Sequence, residues 1–219
     1  SMDISMPEIR AEGEDELNDN EVPSEFLLKA YDPAQMQDNE RHPSGKPLHA
    51  RDLLLAGVQD VTQMLAAEQF RLNDLILLVL ETLYSSMGFR FATVCLRDLQ
   101  TARYVARVAV GENYAEWQKG FVFPAKAGQD LFHLAMSNNV DLMISDATAP
   151  KIQKLLPDWH RALLPDARSF IVLPLVIQKK PLGLFYADRA VAAEEGVPPD
   201  ETALIKTLKS QLLAAMMRG

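Results

Sequence analysis

The segment at residues 168–188 has the sequence RSFIVLPLVIQKKPLGLFYAD. Two apolar runs, 170–177 and 182–187, flank a polar turn at 178–181, and both are rich in β-branched and aromatic residues. This pattern predicts a β-hairpin with a short loop. Because both runs are almost continuously apolar, we expect the hairpin to lie inside a sheet that is covered on both faces. Pro174 cannot donate a ladder hydrogen bond, which predicts a bulge or a kink in the first strand.

The composition indicates a globular domain of the cytoplasm. The chain has 219 residues, 48% of them hydrophobic, which suffices for one domain with a substantial core and an extension. The single cysteine, Cys95, excludes an internal disulfide and favours a reducing compartment. No apolar run approaches the roughly 20 residues of a membrane span, and the N-terminus lacks the pattern of a signal peptide. We therefore expect a soluble cytoplasmic protein that does not engage a membrane.

Negative charge is concentrated at the start of the chain. Residues 1–50 contain 12 acidic and 4 basic side chains, whereas residues 51–219 contain 18 of each kind. A segment so acidic and so poor in apolar residues contributes little to a core, so we assign residues 1–47 to a largely disordered leader or linker. Within it, residues 24–31 are apolar enough for a short docking helix. No basic tract occurs anywhere, which argues against nucleic-acid binding.

Apolar stripes predict long helices at both ends of the neutral part. The first stripe consists of Leu54, Val58, Val61 and Leu65. Its helical spacing predicts an amphipathic linker or signalling helix within residues 48–70. A second helix is expected between Asn73 and Gly88, and a third begins at Asp200 and closes the chain. The first and last helices either pack together on one face of a sheet or form an antiparallel or four-helix interface with a second copy.

Between these helices the pattern predicts further strands and shorter helices. The strands are expected at 91–97, 103–110, 121–124 and 140–145, and the helices at 114–119, 129–138 and 150–164. Alternation along the second of these strands predicts that Tyr104, Ala106 and Val108 share one face. The fold class is therefore α+β, with about six mainly antiparallel strands, long terminal helices on one face and short helices or loops over the other. We expect any cavity to form beneath the short helices.

Three motifs resemble those of the GAF domain. They are DLMISD at 141–146, RSFIVLPL at 168–175 and KPLGLF at 180–185, and the resemblance extends over about residues 72–217 within a predicted domain at 71–219. The chain also resembles the C-terminal GAF region of bacterial proteins whose N-terminal half is an HDOD domain, although residues 1–50 show no HDOD core. The resemblance implies an intracellular sensor domain. Some GAF domains bind cyclic nucleotides, tetrapyrroles or other small molecules in a helix-roofed cavity, and many only dimerise.

The residues that mark functional subfamilies are absent. The chain has no NKFDE-type motif of cyclic-nucleotide-binding members, and Cys95, placed in a core strand, is unsuited to a bilin thioether. A methionine-sulfoxide reductase of this fold would need a second cysteine. No histidine pair has metal-ligand spacing, and no G-x-S-x-G motif or phosphate-binding loop occurs. We predict neither an enzyme nor a metal site, and the sequence identifies no cofactor.

Six side chains are candidates for a ligand site beneath the roof. They are Phe123, Phe132, Asp146, Trp159, His160 and Arg168. Phe123, Phe132 and Trp159 would form an apolar wall, and His160 would lie in the roof. Arg168 would meet an anionic group, or else form a surface ion pair with Asp146 or Asp166. Asp146 would accept from a ligand donor, or else cap the following helix. The ring of Trp159 would either contact a ligand or plug the cavity itself.

Two functions from different classes remain. The first is an intracellular sensor that binds a small ligand, such as a nucleotide or a metabolite, dimerises through its terminal helices, or does both. A bound ligand would shift the positions of those helices. The second is a ligand-free dimerisation and interaction module that holds two copies of a larger signalling protein together.

Overall fold

The computed structural model describes residues 40–67 and 69–218. Within these residues the helices are α1 (Ala50–Ala66), α2 (Leu72–Ser86), α3 (Tyr114–Gly120), α4 (Leu131–Asn138), α5 (Pro150–Leu155), α6 (Asp158–Leu163) and α7 (Pro199–Arg218). The strands are β1 (Phe91–Asp98), β2 (Arg103–Gly111), β3 (Val122–Pro124), β4 (Leu142–Ile144), β5 (Ser169–Ile177) and β6 (Lys180–Arg189). None of these helices is long and apolar enough to cross a membrane. Most of the predicted leader, including the possible helix at 24–31, lies outside the described residues.

The strands form one antiparallel sheet in the order β3-β2-β1-β6-β5-β4. The α+β fold class predicted from the sequence is therefore confirmed. Strands β5 and β6 form the predicted hairpin, and the turn between them is only two residues long. Gln178 and Lys179 occupy it with φ values of 51° and 67°, which is the left-handed backbone of the turns that match strand twist. Most of both strands is buried, as their apolar runs predicted.

Pro174 lies in β5 where its missing N–H does no damage. Strand β4 pairs only with residues 170–172 of β5, so none of the described strands neighbours β5 on that side at the proline. The pairing of β5 with β6 becomes irregular between Leu175 and Val176, directly after the proline. The irregularity predicted for this strand is confirmed.

The helices α1, α2 and α7 cover one face of the sheet. Their buried contacts include Leu54 and Val61 of α1, Leu75 and Leu80 of α2, and Leu208 and Leu212 of α7. At Gly57, a Cβ atom would lie 2.2 Å from Thr82 Cγ2, so glycine permits the close approach of α1 to α2. Gln211 Nε2 donates to Thr62 Oγ1 at 2.9 Å and joins α7 to α1. The terminal helices thus pack together within one chain, and their use in a dimer stays a prediction.

The segment just before α1 packs onto the start of α7. Lys46 is only 2% exposed, and its ammonium group contacts the carboxylate of Glu201 and donates to the Gly196 carbonyl at 3.2 Å. Ser44 Oγ donates to Glu195 at 2.7 Å. From the sequence, this segment is assigned to the end of the acidic leader. Nothing in the sequence marks Lys46 as buried, because an isolated lysine is normally a solvated side chain.

One predicted strand face is wrong. An irregularity in the pairing of β1 with β2 leaves Arg107 without a residue directly opposite. Tyr104 and Ala106 therefore pack under the short helices, whereas Val108 packs with the helix layer on the other face. The cause is a one-residue insertion in the ladder, which reverses the orientation of every later side chain.

The second face of the sheet is roofed by α4, α5 and α6, as expected of the short elements. The stretch predicted as one helix at 150–164 is divided into α5 and α6. Pro157 precedes α6 as its N-cap and cannot continue α5 because it lacks a backbone N–H. The break positions Trp159 and His160 over the sheet.

Candidate functional site

A cluster of aromatic rings fills the space between the roof and the sheet. It comprises Phe91, Phe121, Phe123, Phe132, Trp159, Phe170 and Tyr186, here called the aromatic cluster. The Trp159 ring stacks on Phe123, with centroids 5.1 Å apart and 7° between the planes. It also meets Phe121 edge-on at 4.9 Å. Trp159 therefore occupies the place where the sequence predicted either a ligand or a plug.

The three predicted wall residues come together in this cluster. Phe123 and Phe132 are fully buried and their centroids lie 5.9 Å apart. Trp159 covers both, lying 5.5 Å from Phe132, and remains half-buried at the surface. This arrangement is the one expected if the tryptophan plugs the cavity. The contact of these side chains with a ligand stays a prediction.

A chain of polar side chains, here called the polar relay, runs from the roof to the surface. His160 Nε2 lies 2.7 Å from Tyr186 Oη, and Tyr186 Oη donates to Asp188 Oδ2 at 2.7 Å. Asp188 Oδ1 accepts from Arg90 Nε at 3.0 Å, and Arg90 Nη1 donates to Asp166 at 2.7 Å. Because the Tyr186 hydroxyl donates its hydrogen to the carboxylate, its oxygen accepts a hydrogen bond from His160. The proton of the neutral imidazole ring is therefore on Nε2.

The other nitrogen of His160 has no partner in the part of the chain that the structure describes. With the proton on Nε2, Nδ1 is a buried acceptor, and no donor among the described residues reaches it. A buried polar atom left unpaired costs about 1–3 kcal/mol. Burial, aided by the charges of Arg161 and Arg90, lowers the pKa of His160 to about 4, so the ring is neutral near pH 7. The relay thus presents one open lone pair among the aromatic rings.

We expect the stability of the protein to fall as the pH drops through the range in which His160 is held neutral. Its pKa is about 4 in the fold and about 6.5 when unfolded. The unfolded chain therefore binds the proton more readily, and stability is lost progressively below about pH 6.5 until pH 4. Denaturant titrations across this range test the effect. The variant His160→Phe should lack this part of the pH dependence, and an identical pH profile would refute the assignment.

The other end of the relay is a buried ion pair. Asp188 is 0% exposed, and Arg90 binds both of its oxygens, at 3.0 and 3.3 Å. Burial raises the pKa of Asp188, while Arg90 and the Tyr186 hydroxyl oppose this by stabilising the carboxylate. The Arg90 guanidinium also lies 4.8 Å from the Trp117 ring. These contacts join the junction of α2 and β1 to the end of β6.

The two charged candidates, Asp146 and Arg168, bind each other. Arg168 Nε and Nη2 donate to the two Asp146 oxygens at 2.8 and 3.2 Å. Asp146 Oδ1 also accepts from the backbone and hydroxyl of Thr148, at 3.0 and 2.6 Å, and closes a turn. Arg168 holds the pKa of Asp146 below its usual range. This is the surface pair with Asp146 that was one alternative, and Ala149, not Asp146, is the N-cap of α5.

Sequence reasoning did not assign Tyr186, Asp188 and Arg90 to the site. The sequence does place Arg90 directly before β1 and Asp188 near the end of β6. A charged residue at the end of a buried strand requires a partner, and this was the available indication. Among residues 40–67 and 69–218, no three histidine, cysteine or carboxylate side chains are placed to hold a metal ion. What the arrangement offers is an aromatic surface, a half-buried tryptophan ring and one buried hydrogen-bond acceptor.

Comparison with known proteins identifies the fold. No protein-family model matches the sequence, and no curated protein matches it significantly. The structure is similar to the GAF domain of an Acinetobacter phosphoenolpyruvate-protein phosphotransferase, at 17% identity and a TM-score of 0.58, over 76% of this chain and 92% of that one. The GAF domain of the Coxiella burnetii phosphotransferase matches at 21% identity and 0.59, over 77% and 95%.

A segment of a methyl-accepting chemotaxis protein is also similar, at 19% identity and a TM-score of 0.55, over 74% of this chain and 95% of that one. At such identities a structural likeness establishes the fold alone. The chain has the fold of GAF domains, as its three motifs suggested. The association with an HDOD domain stays a prediction.

Proposed function

We propose that this chain, which has the fold of a GAF domain, is a non-enzymatic sensor domain of a bacterial signalling protein. Solved structures of the same fold include domains of phosphotransferases and part of a chemotaxis protein. Fold alone does not specify function, so the proposal depends on the site. The site's contribution is a small-molecule pocket that opens when Trp159 leaves the aromatic cluster.

The observation that carries the proposal is the open Nδ1 of His160 beneath Trp159. A ligand with an N–H or O–H donor would pair with this nitrogen and remove the cost of an unsatisfied buried acceptor. The stacking of Trp159 on Phe123 supports a planar ligand, since the same ring face would be available to it. A nucleobase or another heterocyclic metabolite combines both features.

The relay offers a route from this pocket to the terminal helices. Tyr186 and Asp188 belong to β6, which leads into α7, and Arg90 connects the end of α2 to β1. A ligand that draws His160 away from Tyr186 would alter the hydrogen bonds at both places. The ligand would thereby favour one arrangement of α1 and α7, provided that it binds the two arrangements unequally.

The variant Trp159→Ala tests whether the tryptophan plugs the pocket. We expect a loss of about 2 kcal/mol in the free energy of unfolding, because a half-buried ring is removed and a cavity remains. We also expect planar heterocycles and cyclic nucleotides to raise the melting temperature of this variant more than that of the unmodified chain. A thermal-shift screen of both proteins measures this.

The control is Trp159→Ala combined with His160→Phe, which keeps the enlarged space but lacks the acceptor. Ligand-induced stabilisation should largely disappear in the double variant. If planar donors stabilise neither the single variant nor the unmodified chain, the sensor proposal fails.

A second function is favoured by the completeness of the packing. Trp159 already fills the roofed space, and Asp146 and Arg168 already satisfy each other. These contacts support a ligand-free module that dimerises through α1 and α7 and brings two copies of a larger protein together.

Light scattering tests the dimerisation on which the second function depends. The chain has a mass of 24.4 kDa, and we expect a species of twice this mass that dissociates on dilution. A monomer at all accessible concentrations would exclude the dimerisation module and leave only a monomeric sensor.

A further inference from the structure

A cavity of about 140 Å³ lies at the β4 edge of the sheet, between β4, β5 and the loop that joins β6 to α7. Its lining includes Arg189, Ser145, Met143, Ile171 and Val197. Most of the lining residues are apolar and one side chain is cationic, while polar atoms form a substantial part of the wall. This volume is close to that of an engineered cavity of about 150 Å³ that accommodates benzene, so a molecule of about six heavy atoms fits.

Arg189 is buried, and none of the described residues gives it an acidic partner. The residue is only 5% exposed. No carboxylate among the described residues lies within ion-pair distance of its guanidinium group. Nε and Nη2 donate to the Met87 carbonyl at 3.1 and 2.6 Å, and Nη1 donates to Ser169 Oγ at 3.2 Å. These bonds use three of its five N–H groups.

Neutral groups make this buried charge tolerable. The Met87 carbonyl lies at the C-terminal end of α2, where the helix dipole favours a cation. The guanidinium also lies 4.4 Å from the Phe89 ring. Burial lowers the pKa of Arg189 to about 10, against the opposing effect of more distant carboxylates, so the group is still charged at neutral pH. A buried cation whose direct hydrogen-bond acceptors are all neutral is a costly arrangement that an anion in the adjacent cavity would improve.

We propose that this cavity binds a small carboxylate whose anionic group pairs with Arg189 and whose short apolar body contacts Met143, Ile171 and Val197. A guanidinium pairs well with a carboxylate because its parallel N–H groups match the two oxygens. The single positive charge and the apolar wall suit a monoanion with a hydrocarbon part. A phosphate dianion would leave charge and oxygens unpaired against the same wall.

The surroundings connect the cavity to the segment before α1. Ala193, in the lining, donates its backbone N–H to the Ser145 carbonyl at 2.9 Å and so holds the covering loop. Gly196, also in the lining, accepts from Lys46, which in turn contacts Glu201 at the start of α7. A ligand in the cavity would therefore lie next to the contacts between this segment and α7. The binding inference does not depend on the sensor function proposed above.

Calorimetric titration of the full chain with acetate, propionate and butyrate, at ionic strength matched with chloride, tests the proposal. We expect saturable binding at one site, with affinity rising about fourfold for each methylene that becomes buried. Inorganic phosphate should bind much more weakly. Absence of saturable binding by every carboxylate, or binding of phosphate alone, would overturn the proposal.

Three variants locate the site. Arg189→Met removes the charge, and Ala193→Leu fills the cavity while leaving the arginine in place; each should weaken propionate binding at least about tenfold. Arg107→Met removes an exposed arginine from β2 and should leave binding unchanged. If Arg189→Met does not fold, Ala193→Leu decides the question. Unchanged affinity in Ala193→Leu would refute this location.

Discussion

Replacing Arg90 with methionine is expected to lower the free energy of unfolding by about 3–5 kcal/mol. The substitution keeps an apolar chain of similar length but removes both bonds to Asp188, whose carboxylate is 0% exposed. Tyr186 would then be its sole hydrogen-bond donor among the side chains described. A buried charge without a counter-charge is among the few single defects that destabilise a domain so strongly. Urea titration at pH 7 measures the loss.

The loss in Arg90→Met should depend on pH. Burial already raises the pKa of Asp188 in the fold, and removal of the cation raises it further. When the folded pKa exceeds the unfolded value of about 3.9, the folded state binds the proton more tightly. The free energy of unfolding of Arg90→Met is then closest to that of the unmodified chain below about pH 4. The difference grows as the pH rises through the pKa of Asp188 in the folded variant.

The double variant Arg90→Met/Asp188→Leu separates the ion pair from the packing around it. Replacing both charges with apolar side chains leaves no buried carboxylate, so much of the lost stability should return. Arg97→Met, an exposed change on β1, provides the control and should alter stability by less than about 0.5 kcal/mol. A loss below about 1 kcal/mol in Arg90→Met would mean that the relay contributes little to the fold.

Substituting Gly183 with alanine is expected to cost about 3 kcal/mol. Gly183 lies in β6 opposite Leu96 of β1, where a Cβ atom would come within 1.9 Å of the Cys95 carbonyl oxygen. The obstructing atom belongs to the backbone and cannot rotate away as a side chain would. Accommodating the methyl group therefore requires the two central strands to separate and to weaken their hydrogen bonds. Thermal and urea unfolding of Gly183→Ala measure the cost.

Gly196→Ala is the matched control for the Gly183 substitution. Gly196 has a φ of 69°, but no atom of the described residues lies within 4 Å of the position that an alanine methyl group would take there. Gly196→Ala should therefore lower the free energy of unfolding only by the cost of a left-handed backbone, about 1 kcal/mol. Equal losses in the two glycine variants would show that crowding between β1 and β6 is not what requires Gly183.

Local patterns were sufficient for most of the architecture. The two apolar runs of the β5–β6 hairpin specified two strands, because each strand is buried on both faces and needs no partner pattern to be recognised. The helices α1, α2 and α7 followed from apolar spacing, which reports the face that each must bury. The short helices α5 and α6 were merged in the prediction, although Pro157 between them was the indication of a break.

The predictions from sequence were wrong where the burial of a residue depends on another residue that is distant in the chain. Val108 faces the helix layer because of a ladder irregularity at Arg107, which no alternation rule within β2 reveals. Lys46 is buried because Glu201, far along the chain, provides the opposite charge. Each of these residues looks ordinary in its own sequence neighbourhood.

The candidate site shows the same division. Sequence reasoning selected Phe123, Phe132, Trp159 and His160, and the fold brings all four together where the roof helices pack on the sheet. It also selected Asp146 and Arg168, which bind each other at the surface.

The sequence by itself determined the GAF-type α+β architecture and the β5–β6 hairpin, because hydrophobic period, turn residues and motif spacing are local properties of the chain. Tertiary structure alone decided that Trp159 fills the roofed space, that Asp188 pairs with Arg90, and that Arg189 is buried beside a cavity with no carboxylate of the described residues bound to it. The physical reason is that burial and Coulomb interaction depend on distances between residues far apart in the chain, and these distances exist only after folding.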